Sequence, residues 1–431
     1  MRYQPLSSRL YSKNRNSFMS EMKRGGLAVF NSNDIYPISA DSTLPFAQHR
    51  DIFYLSGIDQ EESILLLFPD ASKLEHREIL FIKKTSELIA VWEGQKLTQK
   101  RATALSGIES VFWLDRFEEL FETLANEASI FYFNTNEHLR AKVETQTRED
   151  RFIKWAKAKF PNHSTAKSNF ILQKLRSVKD AEEIDQIKNA IDITEKGFRR
   201  VLPIIKPGVW EYEIEAEYAH EFIKNRSKGF AYTPIIAAGK NNNVLHYIDN
   251  NKQCRSGDLI LMDVGAEYGN YASDMTRTLP VSGKFSPRQR AVYEAVLRVE
   301  QQAMQLLVPG IILKEYHQEV GKIMTEELIH LGLLNPTIVK NQDPEKPAYK
   351  KYFMHGTSHH LGLDTHDYGI ADAPLQANMV VTVEPGIYIP EEGFGIRIED
   401  DVVLQEHGNP INLMENIPKD PDEIERLMQG A

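Results

Sequence analysis

The chain reads as an α/β domain followed by an α+β domain, and three observations point there. At 431 residues it exceeds the ~100–200 residues that one domain uses. In its first third, apolar runs of strand length alternate with helix-patterned segments. Beyond residue 176, long amphipathic helices come in pairs around strands that read as hairpins, an α+β pattern.

In order along the chain, the opening stretch MRYQPLSSRLYSKNRNSFMSEM is basic and has no apolar core of a signal peptide. It reads as an exposed first helix over residues 10–23. GGLAVF (25–30), ESILLLFP (62–69), REILFIKK (77–84) and ASIFYFN (128–134) are strands, and RFEELFETLANEA (116–128) is a helix. Residues 152–175 are basic and broken by Pro161 and Asn162. The boundary falls near 172–176, giving domains 1–175 and 176–431.

The second domain opens on a helix that Asp180 caps, with Glu183 completing a capping box. KPGVWEYEIEAEYAHEFIKN is a Pro-Gly turn and a second helix. A third has Ser286 as N-cap and Pro287 at its first position, and ends at Pro309-Gly310. LKEYHQEVGKIMTEELIHLGLL is a fourth. Strands lie between and after them.

Bulk composition narrows the function. Net charge is −10, which argues against a nucleic-acid binder or a protein of anionic membrane surfaces. No run of ~18 apolar residues reads as a membrane span. The single cysteine, Cys254 in the polar NKQCRSGD, excludes an internal disulfide and a CxxC motif. It reads as incidental, and the composition fits a reducing compartment, the cytoplasm by default.

Chemistry concentrates in three stretches. LILMDVGAEYGNYASDMTRTL reads as a hairpin, and with its turn centred between Tyr268 and Gly269, Asp263 faces Asp274. VVTVEPGIYIPEEGFGIRIEDDVVL reads as a second, in which Glu384 faces Glu399. Carboxylates directly opposed on strands repel, and buried ones need a cation. One such pair can be accidental or relieved by a lysine; two pairs on apolar strands point to divalent metal. HGTSHHLGLDTHD holds four of the 13 histidines, and an imidazole commonly completes a carboxylate-rich metal shell. Gly356, Thr357 and Ser358 are poor helix formers, so His355 and His359 belong to a loop or strand.

These stretches, with VLHYIDN and the N-terminal QHRDIFYLSGIDQEESILLL, resemble the aminopeptidase P family of pita-bread metallopeptidases over nearly the whole chain. The resemblance implies a duplicated, pseudo-symmetric catalytic domain from about residue 176, after a smaller domain that assists oligomerisation. It implies five metal ligands, Asp263, Asp274, His359, Glu384 and Glu399, holding two divalent ions, with Mn²⁺ suited to such a hard donor set. It implies a water activated by both ions as nucleophile, Glu384 as proton shuttle, and His246, His355 and His366 as substrate-contacting groups supported by Tyr388 and Arg397. In some relatives a neighbouring subunit's tryptophan lines the site. Trp92 in VWEGQK is the candidate here, the alternative being a buried structural residue. His360 receives no role. The implied reaction releases the first residue from peptides with proline second, in a homo-oligomer (dimer or tetramer). The alternatives are a prolidase restricted to Xaa-Pro dipeptides, a creatinase-like hydrolase that uses no metal, and a pita-bread binding protein without catalysis. Five filled ligand positions speak against the last two.

Overall fold

The computed structural model describes residues 2–138 and 140–430. It divides into two compact units, Pro5–Arg176 and Met1–Gln4 with Ser177–Ala431.

The N-terminal unit is built on a six-stranded sheet. Its strands run in the order Ser110–Trp113, Glu78–Ile82, Ile64–Leu67, Gly26–Asn31, Ile130–Phe133 and Ser164–Lys167. Ile64–Leu67 is antiparallel to both its neighbours, and every other pairing is parallel. The central strands are buried on both faces, which is why they read as unbroken apolar runs. Phe117 and Phe121 of the helix Phe117–Ala125 join Phe131, Phe133 and Phe152 in one core. Phe121 and Phe131 lie 5.6 Å apart. Each such ring contributes ~1.5–3 kcal/mol through its removal from water.

One expectation fails here. The first helix, Ser8–Glu21, buries a face rather than lying exposed: Leu10, Tyr11, Asn14, Arg15 and Phe18 are inside. The guanidinium of Arg15 hides the pattern, because it is fully buried yet donates to Glu78 Oε2, Leu55 O and Ser106 O. Residues 152–175 hold the end of the helix Arg148–Lys159, the edge strand Ser164–Lys167 and part of the helix Asn169–Ser177. That strand, STAK, is mostly exposed and carries no apolar signature.

The C-terminal unit repeats one arrangement twice. Helices Ala181–Val201 and Glu211–Lys224 pair beside a sheet ordered Met275–Pro280, Leu259–Val264, Ile235–Ala238. Helices Pro287–Leu306 and Leu313–His330 pair beside a sheet ordered Val380–Val383, Asp400–Val403, Ile411–Asn412. All these strand pairs are antiparallel. The Asp180/Glu183 and Ser286/Gln289 capping boxes both form, with Pro287 at the start of its helix. Gly197 lets the first helix pair close: a Cβ there would stand 2.6 Å from the Tyr218 ring. An isolated bridge between Thr276 and Glu399 joins the two halves. This is the duplicated pita-bread architecture.

Candidate active site

The two hairpins deliver the carboxylates, one of them in a register the sequence reading missed. Asp263 faces Thr276, not Asp274. The turn falls on Gly269 and Asn270, both left-handed with φ of 60° and 70°, as a tight hairpin of this twist requires. The slip is by an even number of residues, so no side chain changes face, and Asp263 and Asp274 remain diagonal neighbours. The Tyr232 hydroxyl stands 2.6 Å from Asp263 Oδ1 and 2.6 Å from Asp274 Oδ1. In the second hairpin, pairs on both sides of the glutamates, Val383 with Asp400 and Gly386 with Arg397, keep the register that sets Glu384 opposite Glu399.

The histidine stretch runs over this floor as a loop. His359 Nδ1 lies 3.0 Å from the carbonyl of His360. A carbonyl can only accept, so Nδ1 carries the proton, and Nε2 points to Asp274 Oδ2 (3.4 Å) and Glu384 Oε1 (3.7 Å). This tautomer is the one a metal-ligating imidazole needs. Asp274, His359 and Glu399 present donor atoms all within 4.8 Å of one another.

The electrostatics describe a site that needs cations. Burial, with Asp274, Glu384 and Asp263 adding to it, pushes the Glu399 carboxyl far above its ordinary range. Burial and then Asp274 raise Asp263, although Arg397 opposes them. Burial likewise takes Glu384 to about 7. Burial opposes the charge on His359, yet Asp274 and Glu384 raise its pKa above the ordinary imidazole value. Four carboxylates share one buried guanidinium, Arg397, whose Nη2 donates to Asp263 Oδ2 at 2.6 Å. Oxygen-rich donors with one imidazole fit hard divalent ions.

A second layer fixes the first. Arg397 Nη1 donates to the Tyr388 hydroxyl (2.8 Å), which lies 2.8 Å from His355 Nε2. His355 Nδ1 lies 2.8 Å from the carbonyl of Gly356, so Nδ1 is protonated and Nε2 accepts from Tyr388. Burial and then Arg397 push His355 down to about 3, so the ring is neutral. His366 packs edge-on against His359, ring centres 4.4 Å apart. His246 is exposed and close enough to His355 to disfavour its charge.

Trp92 is not a buried structural residue: it is 81% exposed, on the helix Glu87–Glu93 of the N-terminal unit. Sequence reasoning also missed three supporting groups. Tyr232 is one. Thr276 is another; its hydroxyl donates to Glu399 Oε2 (2.6 Å) and accepts from Arg397 Nε (3.1 Å). Asp401, the third, accepts from the backbone N–H of Asp274 (3.0 Å). The register error concealed Thr276, and nothing near Tyr232 in sequence marks it.

A buried cage of carboxylates and one imidazole, on two matched hairpins of a pita-bread fold, defines a metal-dependent hydrolase. Residues 185–406 match metallopeptidase family M24, and residues 11–132 match the aminopeptidase P N-terminal domain. The chain is 33% identical to the Xaa-Pro aminopeptidase of Escherichia coli, over 99% of each. It is 32% identical to human Xaa-Pro aminopeptidase 3, over 93% of this chain and 80% of that one. Among solved structures, proline aminopeptidase P II from Yersinia pestis superposes with a TM-score of 0.89 at 32% identity, covering 99% of this chain and 100% of that one. Zinc-substituted E. coli aminopeptidase P in complex with product gives 0.87 at 31% identity, over 99% of each. The chain belongs to metallopeptidase family M24 and is a metal-dependent aminopeptidase.

Proposed function

We propose that the enzyme releases the first residue from Xaa-Pro-Yaa peptides, using two divalent ions, Mn²⁺ by preference. Asp263, Asp274, His359, Glu384 and Glu399 are the residues to hold them. The observation that carries this reading is the convergence of these five side chains, with Arg397, among the described residues, the only arginine or lysine side chain hydrogen-bonded to them. Full-length likeness to Xaa-Pro aminopeptidases supports it. Bound there, divalent ions supply a nucleophile at neutral pH and polarise the scissile carbonyl.

The chain's own groups do the rest. Glu384, 3.5 Å from His355 Nδ1 and 3.7 Å from His359 Nε2, accepts a proton as the peptide carbonyl is attacked and returns it to the leaving proline nitrogen. His355 is held neutral and oriented by Tyr388 and Arg397. Its Nδ1–H exchanges the Gly356 carbonyl for a substrate carbonyl. His246 and His366 are the other donors at the mouth.

An Xaa-Pro bond is a tertiary amide with no N–H, so recognition relies on ring shape and flanking carbonyls. A carbonyl beyond proline offers these histidines a neutral acceptor, whereas a dipeptide presents a carboxylate. The exposed apolar helix face Leu88, Val91 and Trp92 supports a homo-oligomer, with Trp92 reaching a neighbour's site. The buried lone thiol of Cys254 supports a cytoplasmic setting. Among the described residues no helix is long and apolar enough to cross a membrane. The test of substrate is kcat/KM on Ala-Pro-Ala, Ala-Ala-Ala and Ala-Pro. The tripeptide with proline should lead. A tenfold advantage for Ala-Pro, ~1.4 kcal/mol in transition-state stabilisation, would establish a prolidase instead.

A further inference from the structure

The N-terminal unit carries a cavity that the chemistry above does not use. Strands Gly26–Asn31 and Ile130–Phe133 are parallel neighbours. The chain leaves the first for Ile64–Leu67 on one side and the second for Ser164–Lys167 on the other. Where strands of an open α/β sheet diverge in this way, the crevice outside their carboxyl ends is the place for a ligand. A cavity of about 700 Å³ lies there, lined by Asn31, Asn134, Arg148 and Glu149 with Tyr36 and Leu44 among its apolar members.

One acceptor in that lining lacks a partner, and one buried carboxylate is met only by neutral hydrogen-bond donors. Glu149, 8% exposed, accepts from Asn31 N (3.3 Å), Asn31 Nδ2 (2.7 Å) and Asn134 N (3.4 Å), all neutral donors. Arg148 donates to Ser32 Oγ instead, and Arg151 pairs with Asp34. Burial pushes the Glu149 carboxyl up to about 7. Asn134 is 4% exposed. Its Nδ2 donates to Asp51 Oδ2 (2.9 Å), which fixes the amide's orientation and leaves Oδ1 buried without a partner. A buried carboxylate calls for a cation, and an orphaned carbonyl calls for a hydrogen-bond donor.

We propose that this crevice binds a primary aliphatic amine, its ammonium group donating to Asn134 Oδ1 and Glu149 while its carbon chain lies against Tyr36 and Leu44. An ammonium supplies charge and donors together. A bare metal ion would supply no hydrogen bond and would leave most of the cavity unfilled. The site is separate from the carboxylate cage and stands whether or not the peptide specificity proposed above is right.

The experiment is calorimetric titration of the full chain, chelator-treated to remove metal-dependent binding elsewhere, with propylamine, butyrate and KCl. Propylamine should bind one per chain, butyrate should not, and KCl should not displace the amine beyond its effect on ionic strength. Asn134→Leu should weaken the amine at least tenfold. Should that variant fail to fold, Leu44→Arg on the half-exposed rim sets a like charge at the mouth and should weaken it similarly. Absence of propylamine binding, equal binding of butyrate, displacement by KCl through direct competition, or unchanged affinity in a folded variant would overturn the proposal.

Discussion

His359 and His366 are seven positions apart in one loop, and their rings touch, yet the roles proposed for them differ. His359 offers Nε2 to Asp274 and Glu384, whereas His366 is exposed and packs edge-on against that ring. His359→Ala should therefore lose metal and activity together, and His366→Ala should lower kcat or raise KM with metal content kept. Metal analysis of both variants checks this; equal metal loss would contradict it. Tyr232 bridges Asp263 and Asp274, two of the proposed ligands. Groups in that position typically carry 10–100-fold in metal affinity or activity. Tyr232→Phe should weaken metal binding by that order in a competition titration with a chelating dye, while the thermal midpoint of the metal-free protein barely falls.

At the scale of elements, the second hairpin was legible because PEEGFG centres its turn unambiguously, and both flanking ladders keep the register. The first was misread because GN, not YG, supplies the two left-handed positions. The carboxylates were still found because an even slip preserves the face. Helices were legible through their caps, Asp180 and Ser286. Arg15 and the edge strand Ser164–Lys167 were not, since neither a buried guanidinium nor an exposed polar strand leaves a periodic apolar trace. Arg277 was equally silent. Fully buried on Met275–Pro280, it donates to Glu399 O (2.7 Å), Asp400 Oδ1 (2.6 Å) and Pro418 O (3.0 Å), tying both hairpins to the C-terminal segment. Removing one partner of a buried ion pair costs ~3–5 kcal/mol. Arg277→Met should show a loss of that size in denaturant unfolding, and retained stability would mean that the strands do not depend on this clamp.

Across the whole molecule, three buried glutamates outside the metal cage set a pH dependence. Burial takes Glu149, Glu183 and Glu300 each to about 7. A carboxyl whose folded pKa lies above its unfolded value of ~4.3 binds more protons when folded. Its stabilising preference for the protonated state is complete below that unfolded value and is lost as pH rises towards 7. Asp400, held low by Arg277 and Lys419 although burial opposes them, acts in the opposite sense only at far lower pH. The metal-free protein should thus gain stability as pH falls from 8 to ~6.5 in urea unfolding; below the unfolded histidine value of ~6.5 the buried, neutral His355 and His360 oppose any further gain. A loss of stability from pH 8 to ~6.5 would contradict the burial of these glutamates. The proposed hydrolysis requires the cage of Asp263, Asp274, His359, Glu384 and Glu399 to hold two ions. The direct test is to count metal by mass spectrometry while following release of alanine from Ala-Pro-Ala, first after chelation and then through stepwise return of Mn²⁺. Activity should vanish in the stripped protein and recover as the count approaches two ions per chain, whereas full hydrolysis by protein shown to be free of metal would contradict the account.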